Sequence, residues 1–322
     1  MSDCRAVSNN LMNELVNGGF SEFVNLVRES EKLSLEDRLI LCFRGNSNPQ
    51  NVVIYYKNHM VWKLSISRQK LLSVTISFNH ARYSKDWKEK LNILKNTYNF
   101  NGSSGYLKAT SNYFNKDFVN GTFCILKNII EDFFNTDLQY DYFKNKPVKH
   151  KDYLEKKKQH ELYLKYNNCN DGLFIYDLEF AQKKAKYIDN NKNQPDMLGI
   201  RFANGVPKSL VLLEVKSKKS AMTNPKSGFN KHLEGMENYI NNTTLMSNRF
   251  VEAQKIINQY KDLRLRNVNR YVNFNSLPVE IRFILTDEAE DCFNSVNKLL
   301  HDKHYSIEHS NGAIEVYKEF KK

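Results

Sequence analysis

The chain has 322 residues, of which 41% are hydrophobic and 12% aromatic, and its formal net charge at pH 7 is +12. This length allows two globular domains, and no apolar run is long enough to cross a membrane, which argues against a membrane protein. The five cysteines are odd in number, scattered and never in a C-x-x-C pair, which argues against a disulfide framework and a zinc site and favours a reducing cytoplasm.

Residues 1–145 are predicted to form an α+β domain around an antiparallel meander. An amphipathic helix over 9–32 is expected to break at Gly18-Gly19. Four runs rich in Val, Ile, Phe and Tyr, separated by turn residues, predict the strands of the meander. These runs are Arg38–Phe43, Val52–Lys57, Val61–Ile66 and Leu71–Phe78. Helices are predicted over 85–94 and 118–134, and a Gly/Ser/Asn loop over 99–105.

The meander also carries aromatic residues interleaved with bases. They are Tyr55, Tyr56, Lys57, Trp62, Lys63 and Arg68. Such a pattern can form a stacking surface for single-stranded nucleic acid. Aromatic alternation in a sheet more often builds a core, and we expect core here. The role of this domain therefore stays open between recognition, regulation and dimerisation.

A polar, lysine-rich segment over 141–151 that contains Pro147 predicts the boundary to a second domain over 150–322. This domain is predicted to contain a helix, three strands, a second helix and a fourth strand, followed by a helix and two short strands. The helices are predicted over 153–166, 229–260 with an interruption near 241–244, and 288–300. The strands are predicted over 173–181, 197–202, 209–216, 279–285, 305–309 and 313–317.

The second domain contains a predicted hairpin that collects polar side chains at its open end. Asn204-Gly205 lies between two apolar runs, which is a strong hairpin signal. Folding the chain there places Asp196 opposite the end of the partner strand, where Glu214 and Lys216 share one face. Two carboxylates beside an ammonium suit a hard divalent cation and the activation of water. The alternative is a strand-end ion pair, but these charges extend the apolar run Leu210–Leu213, where an unpaired charge would be costly.

Pro195-Asp196, an intervening strand and then Glu214-Val215-Lys216, set within an αβββαβ order, resembles the PD-(D/E)XK nuclease superfamily. The resemblance covers about residues 150–290. It implies a restriction-endonuclease-like α/β domain with a mixed sheet, Mg²⁺ or Mn²⁺ as cofactor, and hydrolysis of phosphodiester bonds to leave a 5′-phosphate. DNA is favoured over RNA as the substrate, and endonuclease over exonuclease action.

The resemblance also implies roles for individual residues. Asp196 and Glu214 correspond to the metal-binding carboxylates, and Lys216 to the lysine that orients or activates water and offsets charge in the transition state. Members of the superfamily often add an acidic residue from the first helix. Glu161 is the best-placed candidate for that metal ligand, with Glu155 as a secondary candidate. The alternative for Glu161, which is equally open, is a position on a solvated helix face.

Further candidates lie close to the motif. Glu179, two residues after Asp177 on the same predicted strand face, could join a metal cluster, although such carboxylates more often face solvent or form structural pairs. Lys218 and Lys219 follow the motif directly, and Lys231 and His232 lie near the start of the next helix, where phosphate binds readily. These four are candidates for substrate binding, and the alternative for each is an ordinary solvated surface residue.

Taken together, the sequence predicts a metal-dependent nuclease acting in restriction, phage defence or mobile-element processing, the setting being a fold-level analogy. The positive charge favours nucleic acid as partner, although an AT-rich genome would also enrich lysine. We expect a homodimer, because cutting a duplex usually needs two active sites. The N-terminal Met1–Arg5 lacks the layout of a signal peptide, so we expect a cytoplasmic location and no membrane partner. The alternatives are a non-catalytic nucleic-acid-binding module on a nuclease fold and a ligand-activated RNA nuclease.

Overall fold

The computed structural model of the chain shows a mixed α/β protein with two larger sheets, one antiparallel and one mixed. It describes residues 5–45, 49–57, 59–67, 69–78, 81, 84–102, 105–134, 139–141, 146–148, 154–178, 195–224, 228–310 and 313–320, with side chains described for the same residues except 134–157 and 310. The chain divides into two compact units. The N-terminal unit comprises Arg5–Tyr153 and Asp262–Leu265, and the C-terminal unit comprises Leu154–Lys261 and Arg266–Lys322.

The N-terminal unit is built on the five-stranded antiparallel sheet, with strand order β1-β2-β3-β4-β5. Its strands are β1 (Ile40–Arg44), β2 (Asn51–Tyr56), β3 (His59–Ile66), β4 (Leu72–Ser77) and β5 (Tyr106–Ser111). Its helices are α1 (Asn9–Val16), α2 (Ser21–Ser30), α3 (Trp87–Asn96) and α4 (Lys116–Phe134), with a 3₁₀ turn at Leu35–Asp37. A short hairpin follows, formed by β6 (Gln139–Asp141) and β7 (Lys146–Val148).

The predicted meander and the helix break at Gly18-Gly19 are both confirmed. A Cβ atom at Gly19 would clash with Leu72 and with the backbone of Asn112, so a glycine is needed where the chain passes between α1 and α2. Strand β5 was missed, because only Leu107 and Ala109 of its six residues are buried and the run is too polar to read as a strand.

The aromatic residues of the meander form the core of this unit, as expected. Trp62 is buried beneath Phe23, with ring centroids 5.0 Å apart in an edge-to-face arrangement. Tyr55 and Tyr56 are buried as well. Arg68 lies outside the described residues. The aromatic pattern therefore stabilises the fold, and the stacking surface considered for single strands does not form from these rings.

The C-terminal unit is built on the six-stranded sheet, with strand order β12-β13-β11-β10-β9-β8. Its strands are β8 (Gly172–Leu178), β9 (Met197–Ala203), β10 (Val206–Lys216), β11 (Val279–Leu285), β12 (Ser306–Ser310) and β13 (Ala313–Phe320). Its helices are α5 (Leu154–Lys165), α6 (Lys219–Thr223), α7 (Phe229–Asn241), α8 (Thr243–Asp262), α9 (Glu288–Asp291) and α10 (Asn294–Asp302). Strands β10 and β11 are parallel, and the other neighbouring pairs are antiparallel.

The predicted order of a helix, three strands, helix and strand is seen in this unit, including the interruption between α7 and α8. Helix α6, which follows directly on β10, was not predicted. Among the described residues, no helix is both long and apolar enough to span a bilayer.

The β9–β10 hairpin sets the register on which the candidate site depends. Asn204 and Gly205 have φ values of 51° and 67°, the left-handed pair that a type I′ turn requires. From this turn the strands pair, with a bulge between Pro207 and Ser209 that shifts the register by one residue, until Met197 lies opposite Leu213. The residue before Met197 is therefore level with the residue after Leu213, which brings Asp196 beside Glu214.

The face of the sheet that carries Glu214 is covered by helix α7. Glu214 is in register with Phe283 of the parallel strand β11, so their side chains lie on one face. The Phe283 ring packs against Phe229 at the start of α7, with centroids 4.4 Å apart. The start of α7 thus lies over the end of β10, where the motif is found.

Candidate active site

Asp196 and Glu214 are held by reciprocal hydrogen bonds across the hairpin. The backbone N–H of Asp196 donates to Oε2 of Glu214 at 3.1 Å. The backbone N–H of Val215 donates to Oδ2 of Asp196 at 3.0 Å. Each carboxylate is thereby fixed by the opposite strand. Hydrogen bonds between an ionised acceptor and a backbone donor are stronger than neutral ones, so the two side chains are held in place by the register itself.

Glu214 and Lys216 form a buried ion pair on the same face of β10. Nζ of Lys216 donates to Oε1 of Glu214 at 2.6 Å. The side chain of Glu214 is 1% exposed and that of Lys216 is 5% exposed. Alternation along a strand puts residues i and i+2 on one face, which is why the Glu-x-Lys spacing yields this contact. Each charge offsets the desolvation of the other, and removal of either would leave a buried charge without its partner.

His232 is the second side chain to reach Glu214, after Lys216. It lies in the first turn of α7, where its backbone N–H donates to the carbonyl of Gly228 at 3.1 Å. Its Nδ1 is 2.7 Å from Oε1 of Glu214, and its side chain is 15% exposed. The ring is not oriented to form a hydrogen bond between Nδ1 and Oε1. His232 was predicted to bind substrate. It lies against the carboxylate of Glu214, and its role in substrate binding stays a prediction.

None of the described contacts joins the acidic residue predicted from the first helix to this pair. Glu161 is half-exposed and lies 3.5 Å from Lys158 on its own helix α5, as an ion pair. The buried side of α5 carries Gln159, His160, Leu162 and Tyr163, so Glu161 faces solvent. The side chain of Glu155 and the whole of Glu179 lie outside the described residues.

The candidate substrate-binding lysines are more exposed than the ion pair. Lys231 pairs with Glu234 at 2.7 Å on the solvent side of α7. Lys218 is half-buried at the start of α6. Lys219 is exposed, and its backbone N–H donates to Oε2 of Glu288 at 3.2 Å. Their role in substrate binding stays a prediction.

A divalent cation would find part of its ligand set at this site. The carboxylates of Asp196 and Glu214 supply the oxygen ligands that Mg²⁺ and Mn²⁺ prefer. In the described parts of the chain, no three His, Cys, Asp or Glu side chains are already grouped to hold a metal. Because the ammonium of Lys216 is bonded to Oε1 of Glu214, a cation at that oxygen would compete with it.

A second buried polar cluster was not foreseen. Nη1 of Arg249 donates to Oε2 of Glu252 at 2.7 Å on α8, and both side chains are at most 1% exposed. Burial, together with the nearby charge of Glu252, holds the pKa of Tyr176 well above its usual value. Asp177 and Tyr239 also lie close enough to raise that pKa. The i, i+3 spacing of Arg249 and Glu252 is typical of a solvated helix surface, so the sequence carried no signal for this cluster.

Comparison of the chain with known protein families, with characterised proteins and with solved structures gives no match.

Proposed function

We propose that the chain is a metal-dependent nuclease whose C-terminal unit carries a restriction-endonuclease-like domain and hydrolyses phosphodiester bonds, with DNA favoured over RNA. The observation that carries the proposal is the geometry at the end of the hairpin. Asp196 and Glu214 are locked together through each other's backbone, and the ammonium of Lys216 lies 2.6 Å from Glu214. This combination is suited to phosphoryl chemistry. It is not a simple surface ion pair, because Glu214 and Lys216 are both buried.

The residues divide the work of hydrolysis by their chemistry. Asp196 and Glu214 would hold the cation, and Mg²⁺ or Mn²⁺ when bound polarises a phosphoryl oxygen and makes bound water more acidic. Lys216 brings a positive charge to the developing negative charge on the phosphate and orients the attacking water. Pairing of β10 with β11 extends to Lys216, which fixes the backbone that carries this side chain. The net charge of +12 favours a polyanionic substrate.

A cleavage assay with isosteric variants tests this function. The purified chain is incubated with plasmid and with single-stranded DNA in Mg²⁺ or Mn²⁺, and the products are followed with time. Asp196→Asn, Glu214→Gln and Lys216→Met should each lower the rate by about 10²-fold or more, the loss typical of removing one electrostatic contact to a transition state.

The matched control is Glu161→Gln, which also removes one carboxylate from the same unit but from a half-exposed position. It should cut DNA at the wild-type rate. Wild-type cleavage by all three site variants would overturn the proposed site, and loss of cleavage in the control would return Glu161 to the ligand set.

A non-catalytic nucleic-acid-binding module is the second candidate. It is favoured by the self-paired state of the site, in which Lys216 occupies Oε1 of Glu214, and by the lack of a ready three-donor group among the described residues. Calorimetric titration separates the two functions. A nuclease should bind Mn²⁺ with a stoichiometry of about one that disappears in Asp196→Asn, whereas a pure binder should retain DNA affinity and show no heat of metal binding.

A further inference from the structure

We propose that His232 is a ligand of the same divalent cation as Glu214, through Nδ1, and that it makes the site prefer Mn²⁺ over Mg²⁺. The inference rests on the proposed function and adds a nitrogen ligand that the motif itself does not contain. Asp196 and Glu214 come from the hairpin, whereas His232 comes from α7, the second helix after it.

The contact between His232 and Glu214 is short but does not have the geometry of a hydrogen bond. Nδ1 lies 2.7 Å from Oε1, yet the ring does not direct this nitrogen at the oxygen. Two electron-rich atoms at this distance repel unless a proton or a cation is shared between them. Ligands of one metal ion have this arrangement, because each points at the ion rather than at its neighbour. In an octahedral site with bonds of roughly 2.1 Å, adjacent ligands are roughly 3 Å apart, close to the observed separation.

Helix α7 holds the imidazole firmly enough for it to act as a ligand. Phe229, three residues before His232, packs on Phe283 of β11. Leu233 and Met236 anchor the next turn, since both are buried. A ligand on a packed helix is positioned more precisely than one on a loop. The side chain of His232 is nevertheless 15% exposed, so the site stays open to an ion from solvent.

The ammonium of Lys216 is bonded to the oxygen that the ion would need, and the described residues show no ready-made group of three metal ligands. Its Nζ is 2.6 Å from Oε1, the oxygen that His232 also approaches. In this arrangement the ammonium supplies the positive charge that a cation would bring. A divalent ion therefore enters by competition with Lys216, and the lysine freed from Glu214 is then available to the phosphate.

An imidazole ligand shifts the selectivity of the site between cations. Mg²⁺ is a hard ion that binds oxygen ligands and keeps its waters. Imidazole favours transition metals, and affinity rises from Mn²⁺ along the first row. With Asp196 and Glu214 alone the site would be an all-oxygen one, so the preference for Mn²⁺ depends on His232.

Pulsed electron paramagnetic resonance of the full chain loaded with Mn²⁺ tests the ligand directly. A coordinated imidazole gives ¹⁴N modulation, and growth on ¹⁵N-histidine changes the pattern in the wild-type protein, so this readout needs no variant to fold. His232→Asn should lose the modulation. In calorimetry the variant should bind Mn²⁺ at least about tenfold more weakly, since removing even a supporting group of a metal site costs that much, while Mg²⁺ affinity changes by less than about twofold.

The control is His301→Asn, which removes an exposed histidine from α10 in the same unit. It should keep both the modulation and the preference for Mn²⁺. Bound Mn²⁺ without nitrogen modulation, or an unchanged ratio of Mn²⁺ to Mg²⁺ affinity in folded His232→Asn, would overturn the inference. Those results would leave the nuclease proposal standing if Glu214→Gln still abolished metal-dependent cleavage, whereas the absence of metal-dependent cleavage by the wild-type protein would overturn the nuclease proposal itself.

Discussion

Two buried ion pairs in the C-terminal unit have nearly the same geometry and different surroundings. Glu214 and Lys216 are 2.6 Å apart at the end of β10, and Arg249 and Glu252 are 2.7 Å apart on α8. The first pair adjoins Asp196, which is partly exposed, and His232, which is 15% exposed. The second pair adjoins Tyr176 and is sealed from solvent. Burial of charge alone therefore does not mark a functional site; access for an ion and substrate does.

We call Arg249 and Glu252 the sealed pair, and Glu214 and Lys216 the open pair because they adjoin partly exposed side chains. We expect the sealed pair to contribute to stability and the open pair to chemistry. Arg249→Met should lower the free energy of unfolding by about 3–5 kcal/mol, because Glu252 would be left buried without its cation. Urea denaturation measures the loss. Cleavage per folded molecule should stay at the wild-type value.

Lys231→Met is the matched control, because it breaks an ion pair of the same length whose two partners are about half exposed. Exposed pairs contribute little, so its unfolding free energy should change by no more than about 0.5 kcal/mol. If Arg249→Met were as stable as this control, the sealed cluster would not be a stabilising element and the distinction between the two pairs would fail.

The hairpin end of the open site could be predicted only in part, because Asn204-Gly205 predicts the two-residue turn. A bulge between Pro207 and Ser209 then shifts the register by one residue, and only with this shift does Met197 lie opposite Leu213. The contact between His232 and Glu214 could not be predicted in this way. His232 reaches Glu214 only through the packing of α7 on β11, and no local pattern encodes that crossing. The prediction for Glu161 was limited in a different way. Neighbouring side chains on a helix point about 100° apart, and α5 buries Gln159 and His160 while Glu161 is half-exposed.

The sealed cluster and β5 escaped prediction for related reasons. Arg249 and Glu252 have the spacing of an ordinary surface pair, and their burial depends on the sheet beneath α8. Strand β5 is held by pairing with β4 over Tyr106–Ser111 rather than by its own hydrophobicity. In both cases tertiary contacts override what the local sequence suggests.

The open pair should also respond to metal in a way that the sealed pair cannot. Lys216→Met should raise the affinity for Mn²⁺ by about tenfold, because the ion no longer competes with an ammonium at Oε1 of Glu214. Isothermal titration measures the change. The same variant should lose cleavage, so tighter metal binding and lower activity would appear together.

Lys298→Met provides the control for charge, since it removes an exposed lysine of α10 in the same unit. It should leave the Mn²⁺ affinity within about twofold of the wild type, because exposed charges at a distance are screened. Weaker Mn²⁺ binding in Lys216→Met would mean that the lysine supports the ion rather than competing with it, and the self-paired description of the site would be wrong.

The smallest expected effect concerns Tyr176 in the sealed cluster. Its hydroxyl is buried without a hydrogen-bond partner in the described structure, so Tyr176→Phe should be neutral or stabilising by up to about 1 kcal/mol at pH 7. Burial and Glu252 raise its pKa well above the usual value of 10.0. Above pH 10 the unfolded tyrosine therefore ionises while the folded one stays protonated, and the wild type loses stability.

Tyr176→Phe lacks that ionisation, so its advantage over the wild type should be small below pH 9 and grow as the pH rises above 10. Urea denaturation of both proteins at pH 8, 9, 10 and 11 gives the difference, in which the contributions of all other tyrosines cancel. A difference that stays flat across this range, or that shrinks, would show that Tyr176 ionises as readily in the folded chain as in the unfolded one. The cluster would then be open to water, and the contrast between a sealed and an open ion pair would lose its physical basis.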